Sequence, residues 1–405
     1  MQTADSRAAG DIEALIDAAA DHMALASVGD TACAAEGGKH LPKAEGLCYN
    51  PIRELRAIPC EEGEKSMSKK RRILLVATGG TIASQASEHG LRPGLGAEQM
   101  LAYIPELREE YELDAIQVCN IDSTNMTPAV WDEIVAAVEC KYLYYDGFVI
   151  CHGTDTMAYT SAALSYMIQN SNKPIVVTGS QKPISEESTD ARQNLIDSIR
   201  YAGDPASRGV TLVFNGNVIA GTRAKKTYAR SYNAFSSVNF PVLAVIQDRK
   251  IIRFLPQQAY TEPVRFSYHL SESIVVLKLI PGTKPELVEY LFQNYDCLVI
   301  ESFGVGGIPQ SLLDTFYEQM EKWISKGKLV VMATQVANEG SNMEVYEVGH
   351  RIKKDFHLME AYDMTLEATI TKLMYLLGTC GGNYTAIYDG FYKTVNYDIL
   401  SCRDV

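Results

Sequence analysis

Ile73-Leu-Leu-Val-Ala77 runs straight into Thr78-Gly-Gly-Thr81. Five consecutive apolar residues closed by a glycine turn read as a strand buried on both faces, the kind that parallel sheets use. From here strand and helix patterns alternate. Further strands are expected at 115–119, 147–151, 174–178 and 210–214, and helices at 97–110, 128–140, 156–169 and 190–202. Thr127 before Pro128 supplies an N-cap and a proline at the first helical position. Such alternation implies right-handed crossovers and a sheet covered by helices on both faces. The rhythm lapses over 249–268, where Pro256, Gln257, Gln258 and Pro263 read as a connector. It resumes with strands at 274–280, 297–301 and 329–333 and helices at 312–325 and 364–377. Thr283-Lys-Pro-Glu286 reads as a capping box opening another helix. The expected fold is α/β: a larger N-terminal α/β domain over 67–255 with a mainly parallel sheet, a linker at 256–269, and a smaller C-terminal α/β domain over 270–405.

Residues 1–66 stand apart. Ile12, Leu15, Ile16, Ala19 and Met23 recur at helical spacing and predict one helix over 11–26. The remainder has no clear period and too few large apolar residues for a core of its own, so a flexible extension is expected. The 405-residue chain carries 37 basic and 50 acidic residues, a formal net charge of −13. That balance repels phosphate backbones, and no nucleic-acid partner is expected. Lys69-Lys70-Arg71-Arg72 reads as the solvated entry to the first strand. No apolar run approaches the roughly 20 residues of a membrane span, so no membrane association is expected. Asp11, Glu13, Asp17 and Asp21 interrupt the first apolar stretch, which a secretory signal would keep uncharged. Nine cysteines without a CxxC pair argue against a disulfide framework or a zinc site and for a reducing cytoplasm.

In open parallel sheets, ligands bind at the carboxyl ends of the strands. Those ends read Thr78-Gly-Gly-Thr81, Asn120-Ile-Asp122-Ser123-Thr124-Asn125, Cys151-His-Gly-Thr154-Asp155-Thr156 and Thr178-Gly-Ser-Gln-Lys182. Each alone could be turn chemistry. Together they place hydroxyls, carboxylates and glycines on one rim, suited to a small polar substrate with an amino and a carboxylate group. Neither GxGxxG nor Gly-Lys-Ser/Thr is present, so a nucleotide loop is excluded. GxSxG is also absent. A hydroxyl nucleophile needs a base, and hydroxyl–lysine pairs are one solution. Gly221-Thr-Arg-Ala-Lys225-Lys226-Thr227 is a candidate source of that lysine, and spacing leaves both lysines open. His152 reads equally as a packed strand-end residue and as a ligand; it is not assigned a catalytic role.

Thr78-Gly-Gly-Thr-Ile-Ala83 and Gly147-Phe-Val-Ile-Cys-His-Gly-Thr-Asp-Thr-Met157 resemble the two signatures of the bacterial-type L-asparaginases. Asp122-Ser-Thr-Asn-Met-Thr-Pro128, Thr178-Gly-Ser-Gln181 and Ser302-Phe-Gly-Val-Gly306 resemble the cytoplasmic type I branch. The likeness covers about residues 70–380. It implies a larger N-terminal and a smaller C-terminal domain, homodimers or homotetramers, and hydrolysis of L-asparagine to L-aspartate and ammonia without metal or cofactor. Thr81 resembles the nucleophile, and Thr154 and Asp155 the second threonine and its carboxylate partner. Lys226, not Lys225, falls in register with the family lysine when 235–239 are aligned. Asp122 and Ser123 resemble the groups that hold the substrate's α-amino and α-carboxylate. Backbone N–H groups near Gly80 and Thr154 would stabilise the oxyanion.

The chain departs from the family in places. Many relatives place a tyrosine in the loop after the first motif, where Leu91 stands here; Tyr346 is the expected substitute. Some type I relatives bind asparagine at an effector site through an arginine and a cysteine. Glu301 and Val336 stand at those positions, and a carboxylate there would repel the ligand's own. Two rivals share the scaffold: a tRNA-dependent amidotransferase subunit, which carries an N-terminal β-barrel extension unlike residues 1–66, and a silent amino-acid sensor.

Overall fold

The structure, a computed structural model, describes residues 70–87, 90–345, 347–356 and 358–400. Residues 1–66, with the helix expected at 11–26, lie outside the described residues, as does Tyr346.

The strand read first from the sequence, Arg71–Gly79, sits inside an eight-stranded sheet. Five strands run parallel in the order Tyr111–Ile121, Arg71–Gly79, Gly147–Cys151, Pro174–Thr178 and Gly209–Phe214. Asn217–Ala220, Ala244–Gln247 and Lys250–Arg253 continue it antiparallel. Successive side chains of a strand point to opposite faces. Ile73, Leu75 and Ala77 therefore pack with Met100, Leu101, Leu195 and Ile199 on one face, while Leu74 and Val76 pack with Trp131, Ile134, Val138 and Leu164 on the other. Each such large side chain withdrawn from water contributes roughly 1.5–3 kcal/mol. That two-sided burial is why the strand is apolar without alternation.

A second sheet, all parallel, runs Ile274–Lys278, Cys297–Ser302, Leu329–Thr334 and Met359–Glu360. One of its faces is closed by Phe292, Phe316, Met320 and Trp323. The other is shared: Val299, Val331 and Leu373 pack with Ala162 and Tyr166 from helix Met157–Met167, which belongs to the layers around the first sheet. The two sheets are thus joined by a common apolar seam.

Four local expectations need correction. The helix expected at 97–110 is two short pieces, Ala97–Leu101 and Leu107–Glu110, because Pro105 lacks the N–H that a continuous helix would use. Within 249–268, Lys250–Arg253 is a strand that pairs with Ala244–Gln247 across a turn at Asp248 and Arg249, both with positive φ (50° and 65°). Helix Met157–Met167 stops short of 169, since Ile168–Gln169 pair with Arg265–Phe266. Thr283 does not cap the following helix. Its hydroxyl donates to Ile280 O at 2.8 Å and accepts from Ile280 N–H at 2.8 Å, and helix Pro285–Asn294 starts from Lys284 with proline at its first turn.

Candidate active site

The glycines at the strand ends are what let the polar rim close up. Gly79 and Gly80 have φ of 102° and 78°, a region that side chains disfavour. A Cβ on Gly80 would stand 2.4 Å from Gly153 Cα, and one on Gly153 would stand 2.6 Å from Ser123 Oγ. The ends of strands Arg71–Gly79, Tyr111–Ile121 and Gly147–Cys151 therefore touch backbone to backbone. Thr81 and Thr154 each follow one of the two abutting glycines. Thr81 opens the 3-10 turn Thr81–Ala83, anchored by Ala83 N–H to Gly80 O at 3.1 Å and by Ser84 Oγ to the same oxygen at 2.9 Å.

Lys226 ends the short strand Ala224–Lys226, which pairs antiparallel with Phe235–Ser237. Its Nζ donates to Thr154 Oγ1 at 2.8 Å and to Asp155 Oδ1 at 2.6 Å. The ammonium is largely enclosed while Asp155 is mostly open to solvent. Lys225, the lysine that spacing alone left open beside it, turns away and meets Glu367 at 3.3 Å. Alternation along the strand decides between them: neighbouring residues face opposite ways.

Asp122 is exposed, and its Oδ1 accepts from the N–H and hydroxyl of Thr124, both at 2.8 Å. Ser123 is buried beside Gly153, and its carbonyl accepts from Thr156 Oγ1 at 2.7 Å. The Gly80 N–H is engaged by Ile121 O at 3.0 Å, whereas the Thr154 N–H has no intramolecular acceptor among the described residues. His152 is fully buried, with Nδ1 2.7 Å from Gly153 O and Nε2 2.9 Å from Thr160 Oγ1. Burial pushes its pKa down to about 4, so it sits neutral as a packing residue behind the rim.

Two residues gain a role that sequence reading did not give them. Gln181 Oε1 accepts from Thr154 Oγ1 at 3.5 Å, while its Nε2 donates to Ser231 O at 3.0 Å. Asp190 is buried and accepts the N–H groups of Gln181 and Lys182, at 2.9 Å and 3.1 Å, which fixes the turn that carries Gln181. Burial raises its pKa, opposed by those N–H groups. An aspartate at a helix start close after a strand-end turn was the available signal. The hairpin Ser84–Ser87 with Gly90–Pro93, which includes Leu91, follows the Thr81 turn.

Residues 72–259 match the family described as "Asparaginase, N-terminal", and residues 273–390 match "Glutaminase/Asparaginase C-terminal domain". The chain belongs to the asparaginase family. It is 38% identical over 314 residues to an L-asparaginase of Thermococcus kodakarensis, covering 76% of this chain and 93% of that one. A solved structure, the thermostable L-asparaginase from the same organism, superposes with a TM-score of 0.76 at 35% identity, covering 82% of this chain and 99% of the other. L-asparaginase 1 of Escherichia coli is 37% identical over 317 residues, covering 76% and 92%. A glutamyl-tRNA(Gln) amidotransferase subunit from Methanosphaera stadtmanae is 32% identical over 341 residues, covering 80% and 76%. Asparaginase architecture, a larger domain with a mostly parallel sheet and a smaller one with its own parallel sheet, is the architecture found here.

Proposed function

We propose that this asparaginase hydrolyses L-asparagine to L-aspartate and ammonia through an acyl-enzyme on Thr81. The observation that carries the reading is the Lys226–Thr154–Asp155 cluster, held against the turn that bears Thr81. Thr81 Oγ attacks the side-chain amide carbon. Its proton passes to Thr154, which hands its own to the departing nitrogen as the C–N bond breaks and ammonia leaves, with the Lys226 ammonium and Asp155 polarising that relay. Water then cleaves the ester, and the proton returns to Thr81. The Thr154 N–H is the assigned oxyanion donor, since that of Gly80 is already engaged. Asp122 holds the substrate's α-amino group, and Ser123 its α-carboxylate.

The assisting hydroxyl is assigned to Tyr346. The segment just before it is fastened by Glu360, whose Oε1 accepts the Met343 N–H at 2.9 Å. A homodimer or homotetramer in the cytoplasm completes the reading. Among the described residues Cys119, Cys151, Cys297 and Cys380 are free thiols, which supports the reading of a reducing compartment, and no helix is long and apolar enough to cross a membrane.

The deciding experiment is ammonia release from L-asparagine by wild type and by Thr81→Ala. Release by wild type that the substitution abolishes supports the proposal. Absence of release from wild type overturns it, and release that required charged tRNA and a partner subunit would transfer the chain to the amidotransferase reading.

A further inference from the structure

The stretch leading into Lys226 is gripped from behind by the C-terminal half of the chain. Arg223 has a side chain with no solvent exposure. Its Nη2 lies 2.7 Å from Asp363 Oδ2, its Nη1 donates to Asp363 O at 2.7 Å, and its Nε donates to Tyr397 O. The Phe240 ring centroid lies 5.5 Å from the guanidinium carbon. One residue earlier, Thr222 Oγ1 donates to Asn396 O at 2.6 Å, and Thr222 O accepts from Thr365 Oγ1 at 2.9 Å. Two residues later, Lys225 pairs with Glu367. Residues 222, 223 and 225 thus each contact the 363–367 or 396–397 segment. None of these groups touches Thr154 or Asp155.

Alternation gives this grip a direction. Arg223 and Lys225 point toward the C-terminal segments; Ala224 is buried in the core of the first sheet, and Lys226 reaches the two site residues on the opposite side. A three-residue strand has little stiffness of its own, so its pitch and register follow from what holds its other face. A planar guanidinium with several fixed donors sets orientation as well as distance, which a flexible ammonium would not.

We propose that Arg223, clamped by Asp363 and the 396–397 backbone, is a positioning residue that sets the aim of Lys226, with the Lys225–Glu367 pair as a second point of hold. This rests on the proposed role of Lys226 in asparagine hydrolysis. The C-terminal domain thereby governs the site it does not enter through these contacts.

The test compares Arg223→Lys, which keeps the charge and loses the fork, with Glu367→Gln, an isosteric change whose partner Lys225 is partly exposed. Tyr166→Phe is the control: Tyr166 OH donates to Asp398 at 2.9 Å and so secures the same C-terminal segment with no hydrogen bond to 222–226. Two quantities are read alongside thermal unfolding: kcat and KM for L-asparagine, and the acylation rate of the Lys226 amine, followed by peptide mass spectrometry. Arg223→Lys is expected to lower kcat by on the order of 100-fold with KM moving about twofold, the signature of a misplaced reacting group. Acylation of Lys226 should speed up several-fold. Glu367→Gln should shift both quantities the same way by less, and Tyr166→Phe should lower the unfolding temperature alone. Wild-type values of both quantities in Glu367→Gln and Arg223→Lys overturn the proposal, as does an equal kcat loss in Tyr166→Phe. If Arg223→Lys does not fold, Glu367→Gln decides. A wild type that releases no ammonia defeats the hydrolytic reading, and the acylation rates still decide the positioning.

Discussion

Gly80 lies so close to Gly153 that a methyl group on the former would stand 2.4 Å from the latter's Cα and N. Two strand ends meet there, and the two threonines that follow them are brought to one place. Gly80→Ala must therefore either separate the strands or strain a residue already at φ 78°. Turnover is expected to fall by on the order of 100-fold, because a displacement of about an ångström at reacting groups has that effect. The unfolding temperature should drop as well. Steady-state kinetics together with a thermal melt check this, and a variant with wild-type kcat would show that the abutment has no part in the chemistry.

Lys226 should matter to rate far more than to stability. Its carboxylate partner Asp155 is mostly solvent-exposed, and ion pairs of that kind contribute about 0–1 kcal/mol. Proton handling by a placed side chain contributes about 10²–10⁴-fold. Lys226→Met is expected to lose activity in that range while unfolding within a few degrees of wild type. A large loss of stability would instead make the lysine structural.

Saturation by L-asparagine is expected to be hyperbolic. Glu301 and Val336 line one pocket together with Lys225, and Lys225 is engaged by Glu367. Glu301 also pairs with Lys278 at 3.9 Å, and a carboxylate lining such a pocket disfavours an amino acid's own carboxylate. A Hill coefficient of about 1 is the expected reading, and clear sigmoidality would establish coupled sites.

Asp197, on helix Ala191–Gly203, provides a pH test away from the site. Burial pushes its carboxyl up to about 6, against a Gln193 hydrogen bond and the Arg200 charge that lower it. Because the folded value lies above the ordinary 3.8, its contribution to stability is present at low pH and lost as pH rises toward and through 6. Asp197→Asn removes the titration. Its unfolding temperature should gain on wild type between pH 4 and about 7 and hold that gain above. A gap that is constant with pH would refute the assignment.

Much of the N-terminal sheet was legible because burial on both faces writes itself as unbroken apolar runs, as in Ile73–Ala77. The catalytic-type turns were legible because positive φ demands glycine at Gly79 and Gly80. Spacing alone left Lys225 and Lys226 open, because they are the same residue type; the family resemblance pointed to Lys226, and strand alternation turns Lys226 to Thr154 and Asp155 and Lys225 to Glu367. Gln181 was quoted on the rim without a role of its own and Asp190 was not picked out, because their roles arise from a turn closed by N–H groups, and no periodicity reports that. Thr283 shows the opposite failure, a correct motif in sequence whose hydroxyl closed a turn with Ile280 one residue ahead of the cap position.

The clamp on Arg223 and Thr222 has a consequence for the life of the chain before it is finished. Thr222 and its partner Asn396 are 174 residues apart. On the ribosome the large sheet can pair and bury most of its core while those partners have yet to be synthesised. The strand that bears Lys226 then hangs from one side only, and under the positioning proposed for Arg223 that lysine acquires its final alignment only when residues near 397 have emerged and docked. Contacts of such long range are also slow to close. A nascent or interrupted chain would accordingly hold a folded scaffold with a loosely aimed lysine, and catalytic competence would be acquired as the last event of maturation.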